Sequence, residues 1–141
     1  MLLAIDTSTR YAGVALADEE RVVSCRVWYS NMNHTMELMP QIAESLEAQD
    51  IDVASLEGVA VALGPGGFSA LRVGMSVAKG LAMTGRTKIV GVGTLDLEAF
   101  PFLDSGLPVC ALLEAGRNEL ASAHFAPGGE RTKEDIICPL E

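Results

Sequence analysis

Aromatic side chains are scarce: one Trp, two Tyr and four Phe account for 5% of 141 residues. No stripe of interleaved basic and aromatic residues runs along the chain, so nothing in it signals direct RNA binding. Cations are scarce as well. Ten Lys and Arg face nineteen Asp and Glu, a net charge of −9, which argues against a bulk electrostatic grip on nucleic acid. The three cysteines, Cys25, Cys110 and Cys138, are odd in number and widely spaced, with no CxxC. That usage fits reduced thiols in a cytosolic protein better than a disulfide framework or a metal knot. The two histidines, His34 and His124, sit in no HxxxH or HExxH context, and a metal site needs at least three suitable ligands, so no metal is expected. No Ser–His–Asp or Cys–His set follows from spacing, and there are no repeats or low-complexity segments. No apolar run approaches membrane-span length, and Met1-Leu2-Leu3-Ala4-Ile5-Asp6 has neither the basic start nor the length of a leader. A soluble, cytoplasmic protein that does not engage membranes is expected.

What is present is apolar content, 49% of residues, enough for a substantial core in one domain or one lobe. The chain is organised around residues 58–93. Val59, Val61 and Leu63 form a short apolar run that ends at Gly64-Pro65-Gly66-Gly67. Residues 68–84 then show helical spacing, Gly85 and Arg86 break it, and 88–92 is a second apolar run. Strand, crossover helix and parallel strand make a βαβ unit, whose strands are normally buried on both faces.

Three runs precede it. Residues 2–5, 11–17 and 21–29, joined by turns at 6–9 and 18–20, read as an antiparallel meander, with Val23, Cys25 and Val27 alternating against Ser24, Arg26 and Trp28. Asn33 is placed to cap a helix over 34–49, whose apolar stripe is Leu38, Met39, Ile42 and Leu46. Pro40 falls inside that stripe and is tolerable only in the first turns. After the βαβ unit, Thr94 is expected to cap a short helix ended by Pro101, followed by a loop over 103–107. A hairpin over 108–113 and 119–125, with Arg117 in its turn, leads into a charged, loose tail from Glu130. Three antiparallel strands followed by parallel strands with crossovers is a ribonuclease H-like α/β layout, a mixed sheet with helices on both faces.

Two turns carry chemistry. Asp6, Thr7 and Ser8 stand where the first strand meets a turn, and an acid with hydroxyls there can hold a metal–phosphate group or simply shape a hairpin. Gly64, Gly66 and Gly67 open a helix, where amides favour anions and a missing Cβ permits close approach, whether by a ligand or by another segment. The loop is neither a Walker A nor a GxGxxG motif. The helix over 68–84 carries Ala70, Gly74, Ala78 and Ala82 at i, i+4 spacing, a strip that admits a second helix or its own sheet. Charge is segregated: no Lys or Arg lies between Arg26 and Arg72, and no acid between Glu57 and Asp96. The acidic helix 34–49 and the basic helix 68–84 together present a charge-complementary surface, suited to a copy of itself or a relative.

These residues carry a resemblance. Leu3-Ala4-Ile5-Asp6-Thr7-Ser8-Thr9, Gly13-Val14-Ala15-Leu16, His34-Thr35 with Leu38 and Pro40, Gly64-Pro65-Gly66-Gly67-Phe68-Ser69-Ala70-Leu71-Arg72-Val73-Gly74, Lys79-Gly80-Leu81-Ala82 and Val90-Gly91-Val92-Gly93-Thr94-Leu95 resemble the bacterial TsaB (YeaZ) family. That family belongs to the ASKHA superfamily of acetate and sugar kinases, heat-shock ATPases and actin. The resemblance implies an actin-like N-terminal lobe over 1–107 and the start of a truncated second lobe over 108–141. It implies a non-catalytic subunit in making threonylcarbamoyladenosine on tRNA, partnered by a TsaD-type transferase and a TsaE-type ATPase. Docking would use a helical bundle built from His34, Leu38, Ile42, Ala70, Gly74, Ala78 and Ala82, and isolated copies would pair as homodimers. The catalytic paralogue's two metal-binding histidines have no counterpart in Thr94-Leu95-Asp96-Leu97-Glu98-Ala99, so no catalytic residue is expected. Gly67 and Ala70 depart from the usual Ser and Gly, and Glu114-Ala115-Gly116-Arg117 departs from the usual second-lobe entry. An ATP-binding phosphotransferase using Asp6, Thr7, Ser8, Gly64, Gly66 and Gly67, and a stand-alone homodimeric module, are the alternatives.

Overall fold

The computed structural model describes residues 1–83, 87–116 and 118–139. Strands β1 (Leu2–Asp6), β2 (Tyr11–Ala17), β3 (Val22–Tyr29), β4 (Gly58–Ala62) and β5 (Lys88–Val92) form one sheet in the order β3-β2-β1-β4-β5. The meander pairs antiparallel, while β4 lies parallel to β1 and to β5; β5 is the edge strand and mostly exposed, so the burial on both faces expected of the βαβ strands holds for β4 only. The helix α1 (His34–Glu47) delivers the chain from the meander to β4, and α2 (Phe68–Met83) crosses over from β4 to β5.

Both helices cover the same face, whereas helices on both faces of the sheet are expected. Leu3, Ile5, Val14, Leu16, Val59 and Val61 are buried beneath Leu38, Ile42, Leu46 and Ala78. This period-two burial in the strands and three-to-four spacing in the helix are the patterns from which a sheet–helix core assembles. Asn33 occupies the cap position of α1 but contributes its carbonyl, which accepts from the amides of Met36 and Glu37, and not its side chain. Pro40 lies in the second turn of α1 on the exposed side, where the carbonyl that its missing N–H would have bonded faces solvent rather than the core. Asp52 caps a short 3-10 turn, Val53–Ser55, by accepting from the amide of Ala54.

On β3 the inward side is the polar one. Ser24, Arg26 and Trp28 turn toward α1, while Cys25 and Val27 face away from it. Trp28 Nε1 donates to Glu37 Oε2 at 3.0 Å, and Arg26 bonds Gln41 and pairs with Glu44. The rim of the helix layer is therefore stitched by hydrogen bonds, with the indole providing the apolar contact.

The second sheet is antiparallel, β6 (Val109–Gly116), β7 (Glu119–Phe125) and β8 (Ile136–Pro139), in the order β6-β7-β8. The tail is thus a strand rather than loose. Its approach is anchored by Arg131, whose guanidinium bonds Asp96 at 2.7 Å, pairs with Asp135 and lies 5.3 Å from the Phe125 ring centroid. The short helix α3 (Thr94–Ala99) packs on this sheet through Leu95 and Ala99 against Ala111, Ala121, Ala123 and Phe125. Leu97 of α3 reaches the side of the first sheet opposite α1 and α2. Thr94 does not cap α3. Gly93 holds the cap position, and the Thr94 hydroxyl makes no hydrogen bond. Pro101 does not end the helical path either, since a 3-10 segment, Phe100–Ser105, continues through it where a loop over 103–107 is expected. The expected helix end at Thr84, the break at Gly85 and Arg86, and Arg117 of the hairpin turn lie outside the described residues.

The approach of α2 to the sheet depends on Gly74. A Cβ built there falls 2.5 Å from Thr7 Oγ1, whereas one at Gly80 in the same helix meets nothing within 4 Å. Alanine at these two positions should therefore act with opposite sign. Gly74→Ala is expected to cost about 1–3 kcal/mol by overpacking. Gly80→Ala is expected to add about 0.5–1 kcal/mol through helix propensity and a less entropic unfolded chain. Urea unfolding of the two variants measures both, and equal shifts would contradict this packing.

Candidate functional site

The two chemistry-bearing turns meet. Gly67 donates its amide to the Ser8 carbonyl at 2.8 Å, and a Cβ on Gly66 would stand 2.3 Å from that same oxygen. Thr7 Oγ1 donates to the Ala70 carbonyl at 2.7 Å, inside the first turn of α2. Ser8 donates both its amide and its hydroxyl to Asp6 Oδ1, at 2.8 and 2.6 Å. His34 Nε2 lies 3.2 Å from the Thr9 carbonyl, which accepts from it, and ties the start of α1 to the same turn. Gly64 has φ +106°, a conformation that suits glycine, and its carbonyl accepts from the Thr94 amide at 2.9 Å. Asp6, Thr7, Ser8, Gly64, Gly66 and Gly67 thus form one cluster. Its donors and acceptors, with the Thr9 carbonyl beside them, join the ends of β1, α1, α2 and α3.

The residues singled out as a docking strip are placed differently. His34, Leu38, Ile42, Gly74 and Ala78 are buried, and only Ala70 and Ala82 are half-exposed. The expected outward strip Ala70, Gly74, Ala78, Ala82 does not form, since Gly74 and Ala78 are buried. Its centre seats α2 on β1 and does not face outward, because Thr7 and Ile5 occupy the space that side chains at position 74 would need. Leu38 and Ile42 are likewise core residues under α1, as their place on its apolar stripe requires.

The outward faces of the two helices present other residues. On α1, Met36 is 77% exposed, with Pro40 and Ala43 beside it, and Met39, expected within the apolar stripe, lies at its edge and is 46% exposed. On α2, Phe68 and Met83 are 69% and 88% exposed, and Arg72, Ser76 and Lys79 line the exposed side between them. Arg72 lies over the Phe68 ring, 4.1 Å from its centroid. Glu44 and Glu47 are exposed on α1 and Arg72 and Lys79 on α2, so the segregation of charge read along the chain persists on the surface. Met36 lies off the apolar stripe of α1, so the stripe does not signal it. An apolar residue at an outward helical position was the available signal. Among the described residues no group of three or more His, Cys, Asp or Glu is arranged to hold a metal, and no helix is long and apolar enough to cross a membrane.

The face of the first sheet turned away from α1 and α2 is a shallow hollow of about 320 Å³, lined by Ala4, Gly13, Ala15, Cys25, Val27 and Ala60.

Against this geometry the chain can be compared with known proteins. The family described as "TsaD: tRNA N6-adenosine threonylcarbamoyltransferase" matches residues 29–138. The chain belongs to the TsaD/TsaB (YeaZ) family. It is 35% identical over 95 residues to the tRNA threonylcarbamoyladenosine biosynthesis protein TsaB of Bacillus subtilis, covering 67% of this chain and 42% of that protein. To the protein of the same name from Escherichia coli it is 31% identical over 94 residues, covering 67% of this chain and 40% of that one. The solved structure of YeaZ from Pseudomonas aeruginosa superposes with a TM-score of 0.88 at 24% identity, over 98% of this chain and 67% of that one. The α/β fold with its mixed sheet is thus that of YeaZ. The chain spans about two fifths of the length of the two TsaB relatives it matches.

One group on α1 is electrostatically marked. Hydrogen bonds from Ser30 and from the Trp28 indole hold the Glu37 carboxyl below the usual carboxylate range, with His34 adding to the effect. Its folded-state pKa lies below the unfolded value. The stability it contributes is therefore complete above the ordinary value of about 4.3 and is lost as pH falls through the lower folded value. Urea midpoints taken from neutral pH downward should fall less steeply for Glu37→Gln than for the parent. Parallel profiles would show that the Trp28 contact contributes nothing to pH dependence.

Proposed function

We propose that this chain serves threonylcarbamoyladenosine formation on tRNA as a non-catalytic subunit, docking a TsaD-type transferase through the outward faces of α1 and α2. The observation that carries the reading is the pair Met36 and Met39, apolar and exposed on a helix whose inner face is already filled. Exposed apolar residues among acids on one helix and bases on the next suit an interface with an apolar centre and a charged rim. Family membership and the names of the TsaB relatives support threonylcarbamoyladenosine formation as the reaction such an interface would serve. In isolation the same face would pair two copies. The docking residues in this reading are Met36, Met39, Phe68, Arg72 and Met83, with Ala70 and Ala82 at the margin. The buried His34, Leu38, Ile42, Gly74 and Ala78 act from beneath, by fixing where the helices sit.

The cluster at Asp6–Ser8 and Gly64–Gly67 belongs to the same reading as the joint that aims α2. Asp6 Oδ1, the Thr7 hydroxyl and the Gly67 amide each already serve a contact within the fold.

The combined substitution Met36→Asp and Met39→Asp separates folding from docking. Both side chains are exposed, so unfolding stability should stay within about 0.5 kcal/mol of the parent. Recovery of a co-expressed TsaD-type transferase should fall at least tenfold, which corresponds to about 1.4 kcal/mol of lost interaction. Undiminished recovery would refute docking by this face. Loss of the modified nucleoside from tRNA when the gene is deleted, read by mass spectrometry, tests the pathway independently of the face.

A further inference from the structure

The second sheet carries a pairing that spacing along the chain conceals. Cys110 on β6 stands directly opposite His124 on β7, and Cys110 Sγ lies 3.9 Å from His124 Nε2. A hollow beside them is bounded by Pro108, Ala126 and Pro127, with Lys133 on its wall. The segment bearing Lys133 is fixed there. Thr132 donates its amide and hydroxyl to the His124 carbonyl at 2.8 and 3.1 Å, and Arg131 bridges to Phe125. An exposed thiol, an imidazole within reach of its proton and a nearby ammonium group are the parts of a thiol-exchange site.

We propose that Cys110 is a thiol-modification site that takes small, carboxylate-bearing disulfides. The thiol proton passes to His124 Nε2 as Cys110 Sγ attacks one sulfur of the disulfide. The S–S bond of the reagent breaks and a mixed disulfide forms on Cys110. The departing thiolate takes the proton from the imidazolium and leaves as a thiol, so no separate oxidant is consumed. Lys133 attracts the carboxylate of the incoming reagent. The mixed disulfide has no resolving partner within the chain. Cys138 faces Leu120, four residues from His124 along β7, and at ~3.3 Å per residue that offset alone exceeds disulfide reach. Cys25 lies in the other sheet.

All three cysteines are exposed, so accessibility alone predicts equal reactivity. The folded chain is treated with substoichiometric dithiobis(nitrobenzoate), a carboxylate-bearing disulfide, and labelled positions are mapped by mass spectrometry. Cys110 should react about a hundredfold faster than Cys25 and Cys138, the lower end of what a positioned base contributes. His124→Gln should remove that advantage while leaving the other two rates unchanged. Lys133→Ala should slow the anionic reagent but not the uncharged dithiodipyridine. Equal rates at the three cysteines, or an undiminished Cys110 rate in His124→Gln, would overturn the site. Equal slowing of both reagents by Lys133→Ala would overturn the assigned preference for carboxylates. Should His124→Gln unfold, as far-ultraviolet circular dichroism would reveal, His124→Asn provides the same comparison.

Discussion

The contact between the turn after β1 and the glycine loop before α2 is the constraint from which the rest follows. Gly66 lies so close to the Ser8 carbonyl that no side chain fits, and the Gly67 amide uses that carbonyl as its acceptor. One turn further on, Thr7 bonds the Ala70 carbonyl, and Gly74 passes over Thr7 and Ile5. Three successive points, one in the loop before α2 and two in its first turns, are therefore fixed to the end of β1. A helix so held has little freedom to slide or rotate, which determines the residues it shows to solvent. His34 ties α1 to the same turn through Thr9. The two helices thus share one anchor, and their outward faces form a surface of fixed geometry, as specific recognition requires.

Much of this was legible in the sequence. Element order, the parallel placement of β4 and β5 and the antiparallel meander follow from apolar periodicity and turn residues, and the family resemblance agrees with the structural match to YeaZ. The glycine loop was visible too, but its role was not. Glycine signals close approach without saying what approaches, and here it is the chain's own Ser8 carbonyl. The strip of small residues has the same ambiguity. Ala70, Gly74, Ala78 and Ala82 suit a helix partner or a tight seat on a sheet, and only the position of Thr7 distinguishes the two.

Other features resist sequence reading for different physical reasons. The polar inward face of β3 hides because Ser24, Arg26 and Trp28 pack at the rim of the helix layer, where side-chain hydrogen bonds to Glu37, Gln41 and Glu44 replace apolar burial. Strand β8 hides because its run, Ile136–Pro139, is only four residues long and follows the charged stretch 130–135, and its approach is held by the long-range pair of Arg131 with Asp96. Cys110 and His124 are fourteen residues apart and meet only through hairpin register. Local composition carries none of these three.

The two faces of the first sheet also differ in what they can recognise. The face away from the helices is built from Ala4, Gly13, Ala15, Ala60 and their neighbours, small side chains that offer area but little direction. Apolar area of this kind is worth about 25 cal/mol per Å² once covered, yet it discriminates poorly among apolar occupants. The outward faces of α1 and α2 combine exposed methionines with acids on one helix and bases on the other. Opposed charge patterns penalise wrong registers and wrong partners, while methionine adapts to the surface that remains. In the proposed docking, selectivity would reside on the helices, and its accuracy would depend on the seat that Gly66, Gly74 and Thr7 provide.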